Sequence, residues 1–174
     1  AATSVTFFDS VLFAIGAPET AAVIDSFGGR YVMTSEACDS GTDRLVELAT
    51  SGQLQADVWV NWQGDEPFIE QSMIEELLQS IDDKQGEMWT LKKLITDAAD
   101  IASPKVAKVV CNKQGYALYF SRSPIPFFRE ESDSEVLVKK QVYNQHVGLY
   151  AYTTSALKKI AAMGHSVYED AEKL

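Results

Sequence analysis

The spacing of the first apolar segments restricts this chain more than any other feature. Val11-Leu12-Phe13-Ala14-Ile15 reads as a strand, Pro18-Glu19-Thr20 opens a helix with proline and an acid in its first turn, and Gly28-Gly29 caps that helix before Arg30-Tyr31-Val32-Met33-Thr34 starts a second strand. A strand, a helix and a strand in so short a stretch require a crossover, so the two strands are predicted to be parallel neighbours in a sheet covered by helices. At 174 residues, 46% hydrophobic and 23% charged, the sequence has the apolar content of one globular domain spanning 1–174.

Val58-Trp59-Val60-Asn61-Trp62 is a short apolar and aromatic run that stops at Gln63-Gly64-Asp65-Glu66-Pro67. This is the pattern of a buried strand, expected at the centre of the sheet, whose carboxyl end opens into a polar turn. Ligands of open α/β sheets bind beyond the carboxyl ends of strands, which makes Asp65 the candidate metal ligand. An ordinary acidic turn has the same composition. Upstream, Ser40-Gly41-Thr42-Asp43-Arg44 precedes the helical spacing of Leu45, Leu48 and Ala49. Ser40 or Thr42 can serve as N-cap, and the same helix start suits a phosphate or a polar ligand edge. A cation at a helix N-terminus is mildly unfavourable, so Arg44 calls for an anionic partner.

Downstream, Ile69, Met73, Ile74, Leu77, Leu78 and Ile81 form the apolar stripe of a helix from about Gln71. Met88 to Ile95 and Lys105 to Cys111 read as strands. The second alternates Val106, Lys108 and Val110 against Ala107, Val109 and Cys111, and Asn112 to Gly115 turns it into Tyr116 to Phe120 as a hairpin, giving a mixed sheet. Arg122 stands where two prolines, Pro124 and Pro126, end that strand. Arg129 to Glu135 reads as an acidic mobile loop. In Val142 to Tyr152, His146, Gly148, Tyr150 and Tyr152 share one face, either as a polar site or as the half-buried face of an ordinary strand. A helix follows from Thr154 to Met163, and Ser166-Val167-Tyr168-Glu169 has the form of a capping box.

The formal charge of −10 argues against a nucleic-acid surface, and no window is apolar and long enough to insert in a membrane. Cys38 and Cys111, far apart and without a secretory leader, read as free thiols of a cytoplasmic protein.

Taken in order, Phe27-Gly28-Gly29 with Val32-Met33-Thr34-Ser35, Ser40 to Arg44, Val60 to Pro67, Tyr116 to Arg122 with Ile125-Pro126, and His146 to Tyr152 resemble the 3-deoxy-manno-octulosonate cytidylyltransferases, the CMP-Kdo synthetases. The resemblance implies a three-layer nucleotidyltransferase fold with helices on both faces of a mixed sheet. It implies transfer of CMP from CTP to the acidic sugar Kdo for lipopolysaccharide synthesis, with magnesium and release of pyrophosphate. Asp65 and Arg122 would be catalytic, with Asp65 the metal ligand. Ser40, Thr42, Arg44 and Gln63 would lie on the nucleotide side, and Arg122, His146 and Tyr150 on the sugar side. It also implies a homodimer formed through Pro124 to Val142. A cytidylyltransferase for an 8-amino analogue of Kdo or another acidic sugar, and an inactive remnant acting only as a binding or dimerisation module, are the alternatives. The family opens with a strand and a basic glycine-containing loop for the triphosphate, and it continues with a Glu-Gln-Leu-Arg stretch and a later metal-binding aspartate. Gly16-Ala17 also stands where the family usually has acids. The sequence is therefore read as the middle of a longer protein, and the polypeptide alone is expected to bind CTP poorly and not to catalyse the transfer.

Overall fold

Local signals set most element ends. In the computed structural model, which describes residues 7–81, 86–164 and 166–173, β1 (Phe13–Ile15) leads into α1 (Pro18–Ser26), where proline takes the first turn, and then into β2 (Tyr31–Met33). β1 and β2 pair in parallel, Phe13 with Tyr31 through Ile15 with Met33, as the crossover spacing requires. Helix α2 (Gly41–Ser51) begins at a capping box and ends on Gly52, whose φ of 75° is a left-handed cap. The following elements are β3 (Val58–Trp62), α3 (Gln71–Gln79), β4 (Met88–Leu94), α4 (Ala98–Ala102), β5 (Lys108–Cys111) and β6 (Ala117–Ser121). The chain continues with α5 (Ser134–Lys139), β7 (Asn144–Thr153), α6 (Thr154–Ala161) and α7 (Val167–Glu172). This alternation bears out the α/β class.

Two compact units divide the chain. One runs to Trp89 and takes in Leu149–Gly164, and the other is built on Thr90–Gly148 with α7. In the first, β3 pairs antiparallel with the second half of β7, from Val58 opposite Thr153 to Trp62 opposite Leu149. Trp59 faces a core of Leu48, Tyr152, Ala156 and Leu157, which joins α2 and α6 to the two strands. In the second, β5 and β6 form the expected antiparallel hairpin, and Lys108 pairs with Gln145 of β7. Ile95, Ile101, Leu137 and Tyr143 make its core.

Three expectations need correction. The hydrogen-bonded order is β3-β7-β5-β6, with β4 also on β7, so among the described residues β3 ends the order and β7 takes the centre. The longest strand, with Leu149 and Ala151 fully buried, can bond on both sides where the shorter β3 bonds on one. The parallel and antiparallel pairs also lie in separate sheets of two and five strands. Finally, the acidic stretch is not all loop. Asp133 accepts the N–H of Glu135 and caps α5, whose Leu137 enters the core.

Candidate functional site

The nucleotide-side candidates sit in the first unit at the start of α2 and in the turn after β3. Ser40 is the N-cap. Its Oγ accepts the Asp43 N–H at 3.1 Å, while its own N–H and hydroxyl both donate to the Asp43 carboxylate at 2.8 Å. The capping role therefore occupies this hydroxyl. Thr42 is not a cap, because its Oγ1 lies 3.2 Å from the Tyr152 phenol, and burial raises the pKa of that phenol against the opposing effect of this bond.

Arg44 does not need the anion that its position seemed to demand. Its guanidinium donates to Thr34 Oγ1 at 2.6 Å, Ser35 O at 3.1 Å and Cys38 O at 3.5 Å. From the next turn of α2, Glu47 accepts the Ser35 N–H and the Cys38 thiol, so the two side chains together tie the loop after β2 to the helix. Burial and the Glu47 carboxylate both push the Cys38 thiol up. A Cβ on Gly16 would lie 2.8 Å from Arg44 Nη1, so the absence of a side chain there is what admits the guanidinium. Both border a cavity of about 430 Å³ with Ala14, Ile15, Ala17, Thr20 and Glu36. A larger cavity of about 800 Å³ lies around Asp57 and Thr153, at the start of β3 and away from Asp65.

The turn after β3 is closed by the Glu66 N–H on Gln63 O at 3.1 Å and by the Trp62 indole N–H on Glu66 O at 2.8 Å. These bonds leave Asp65 on the exposed outside of the turn. No cluster of three or more His, Cys, Asp or Glu side chains able to hold a metal occurs among the described residues. One exposed carboxylate suits magnesium, which is commonly held by one or two carboxylates together with substrate phosphate and water.

Asn61 was missed by the sequence reading. It is buried on β3 opposite Tyr150, its Nδ2 has no hydrogen-bond partner among the described residues, and a Cβ on Gly41 would lie 3.2 Å from its carboxamide. It thus joins the N-terminus of α2 to the carboxyl half of β3. A buried amide in an apolar run was the available signal. Tyr150 stacks on Tyr152 with ring centroids 5.8 Å apart, and burial holds its phenol protonated far above the usual range.

Arg122 and His146 belong to the second unit. His146 Nε2 is 3.0 Å from Thr90 Oγ1, whose hydroxyl donates to Val147 O at 3.2 Å, so the ring nitrogen is the donor to Thr90. Phe120 meets the imidazole edge-on at 5.1 Å, and burial lowers the His146 pKa to about 4. The ring is neutral at physiological pH. Arg122 is braced by carbonyls, with Nη1 on Pro104 O at 2.8 Å, Nη2 on Lys173 O at 2.9 Å and Nε on Glu172 O. The Glu172 carboxylate returns to the Arg122 N–H and to the hydroxyls of Ser121 and Tyr119, donors that hold its pKa down.

Comparison with known proteins places the chain in a family. The family model for cytidylyltransferases matches residues 1–174. The chain belongs to the cytidylyltransferase family. Among relatives of this family, the 3-deoxy-manno-octulosonate cytidylyltransferase of Geotalea uraniireducens is 44% identical over 169 residues, covering 94% of this chain and 66% of that protein. That of Francisella tularensis subsp. novicida is 40% identical, covering 96% of this chain and 67% of its own length. The solved structure of a CMP:2-keto-3-deoxy-manno-octonic acid synthetase complexed with CTP superposes with a TM-score of 0.85 at 40% identity, over 99% of this chain and 68% of that one. A 4-diphosphocytidyl-2C-methyl-D-erythritol synthase from Anaerococcus prevotii shares the fold, with a TM-score of 0.56 at 12% identity over 98% of this chain and 66% of its own. The chain thus spans 66% of the length of the Geotalea relative.

Proposed function

We propose that the protein to which this chain belongs transfers CMP from CTP to the anomeric hydroxyl of Kdo, releasing pyrophosphate, in cytoplasmic lipopolysaccharide synthesis. The observation that carries this reading is 44% identity, over 94% of the chain, to a protein of that name. The likeness to a CTP-bound synthetase supports it. In this reading Asp65 holds magnesium, which when bound would neutralise phosphate charge as pyrophosphate leaves. Gln63 and the start of α2, with Ser40, Thr42 and Arg44, receive the nucleotide. Ser40 acts there by ordering the helix start, and Arg44 by holding the loop after β2.

Arg122 pairs with the sugar carboxylate, since a guanidinium suits planar carboxylates. The neutral imidazole of His146, oriented by Thr90, and the protonated phenol of Tyr150 meet sugar hydroxyls as dipoles and not as charges. The protein works as a homodimer formed through Pro124 to Val142, where Phe127 is 86% exposed. A monomeric mass by light scattering at high concentration would remove that part.

The test is pyrophosphate release by the full-length protein with CTP and magnesium, offered Kdo, its 8-amino analogue and a nine-carbon sialic acid in parallel. The highest kcat/KM is expected with Kdo. Preference for the amino sugar would reassign the substrate, and no release with any of them would overturn the proposal.

A further inference from the structure

Lys108 lies in β5 with no exposed surface, and it makes no ion pair among the described residues. Its Nζ instead donates to three main-chain carbonyls, Ser103 O at 2.8 Å, Val106 O at 2.6 Å and Arg122 O at 2.6 Å. The charged ammonium has three protons for these acceptors, whereas the neutral amine has only two. Burying an ammonium without a carboxylate is expensive, and an apolar chain of similar length would fill the space at lower cost. Burial and the nearby Arg122 charge both pull the Lys108 pKa down, opposed by Asp100 and Glu172.

The three carbonyls explain what the charge does. One is Arg122's own. The other two bracket Pro104, whose carbonyl receives Arg122 Nη1 at 2.8 Å. A single buried cation therefore fixes both the main chain from which the Arg122 side chain departs and the loop against which one arm of its guanidinium rests. The remaining contacts of that guanidinium fall on Glu172 and Lys173 at the end of α7, to which Lys108 makes no hydrogen bond among the described residues.

We propose that Lys108 is a positioning residue for Arg122, a buried ammonium that gathers three carbonyls so that the guanidinium is held in the attitude that receives the carboxylate of the acidic sugar. The inference rests on the reading of Arg122 given under Proposed function. It goes further by assigning sugar affinity to a residue that cannot touch the sugar.

The experiment uses the full-length protein and measures KM for Kdo and for CTP separately in the wild type, Arg122→Ala, Lys108→Met and the double variant. Lys108→Met is expected to raise the KM for Kdo roughly tenfold, the size of one lost charge-assisted hydrogen bond, with little change in the KM for CTP. The double variant should be no worse toward Kdo than Arg122→Ala alone. An unchanged KM for Kdo, or equal losses toward both substrates, overturns the role. If Lys108→Met does not fold, Pro104→Gly decides, because it loosens the exposed loop while leaving the buried ammonium in place. A raised KM for Kdo alone supports the proposal and an unchanged one overturns it. A wild type that does not use Kdo, or an Arg122→Ala variant with unaltered KM for Kdo, removes the parent reading and this inference with it. A failure confined to Lys108 and Pro104 removes only the inference.

Discussion

Ser40 separates two roles that its sequence position leaves entangled. Ser40→Ala deletes the acceptor of the Asp43 N–H and one of the two donors to the Asp43 carboxylate, while the Ser40 N–H keeps its bond to that carboxylate. Losing an N-cap hydroxyl costs about 1 kcal/mol, within a range of roughly 0.5–2. For a protein of this size that lowers Tm by about 2–4 °C. Asp43→Ala removes the return bond and an acid from the first turn, so it should cost a similar amount. Because the two side chains bond each other, the double variant should lose less than the sum. Thermal unfolding of the three variants in the full-length protein, with KM for CTP measured on each, makes the check. The expected result is a lowered Tm with a KM for CTP that moves little. A wild-type Tm with the KM for CTP raised about tenfold would mean that the hydroxyl is a ligand group and that the capping argument is wrong.

Two further predictions concern the cores and the titration of the second unit. Leu157→Ala empties a fully buried position between α2, β3 and β7 and should cost about 2–5 kcal/mol, read from the shift of the urea midpoint. His146 should stay neutral down to about pH 4 in the folded protein, as followed by NMR of its ring protons. Since the unfolded chain takes up that proton near pH 6.5, this site favours folding above 6.5 and weakens it as the pH falls from there toward 4. A ring that titrates near 6.5 in the native state would refute the buried, dipolar role.

How much was legible in the sequence varies with how local the cause is. The ends of α1, α2 and α7 follow from Pro18, the Ser40–Asp43 pair, Gly52 and the Ser166–Glu169 pair, each acting within a few residues. The β5–β6 hairpin follows from Asn112, whose carboxamide oxygen takes the N–H groups of Gln114 and Tyr116, and from Gly115 at φ 91°. Strand order was less accessible, because an apolar run such as Val58 to Trp62 reads the same whether one or both edges are paired.

Within the site, Arg44 and Lys108 were hidden for the same reason. Alternation with Val106 and Val110 marked Lys108 only as a strand position, and a helix start gave Arg44 the look of an anion binder. Both cations are taken up inside the fold, Arg44 by the Thr34 hydroxyl and the Ser35 and Cys38 carbonyls, and Lys108 by the Ser103, Val106 and Arg122 carbonyls.

Asp65 carries the most direct test of the account, because in the proposed transfer this carboxylate would hold the magnesium that offsets the phosphate charge. Pyrophosphate release by full-length wild type and Asp65→Asn, with CTP and Kdo across a magnesium series, should show a magnesium-dependent rate in the first and a loss of about a hundredfold or more in the second, with Tm unchanged. A variant that turns over near the wild-type rate at every magnesium concentration would contradict the account.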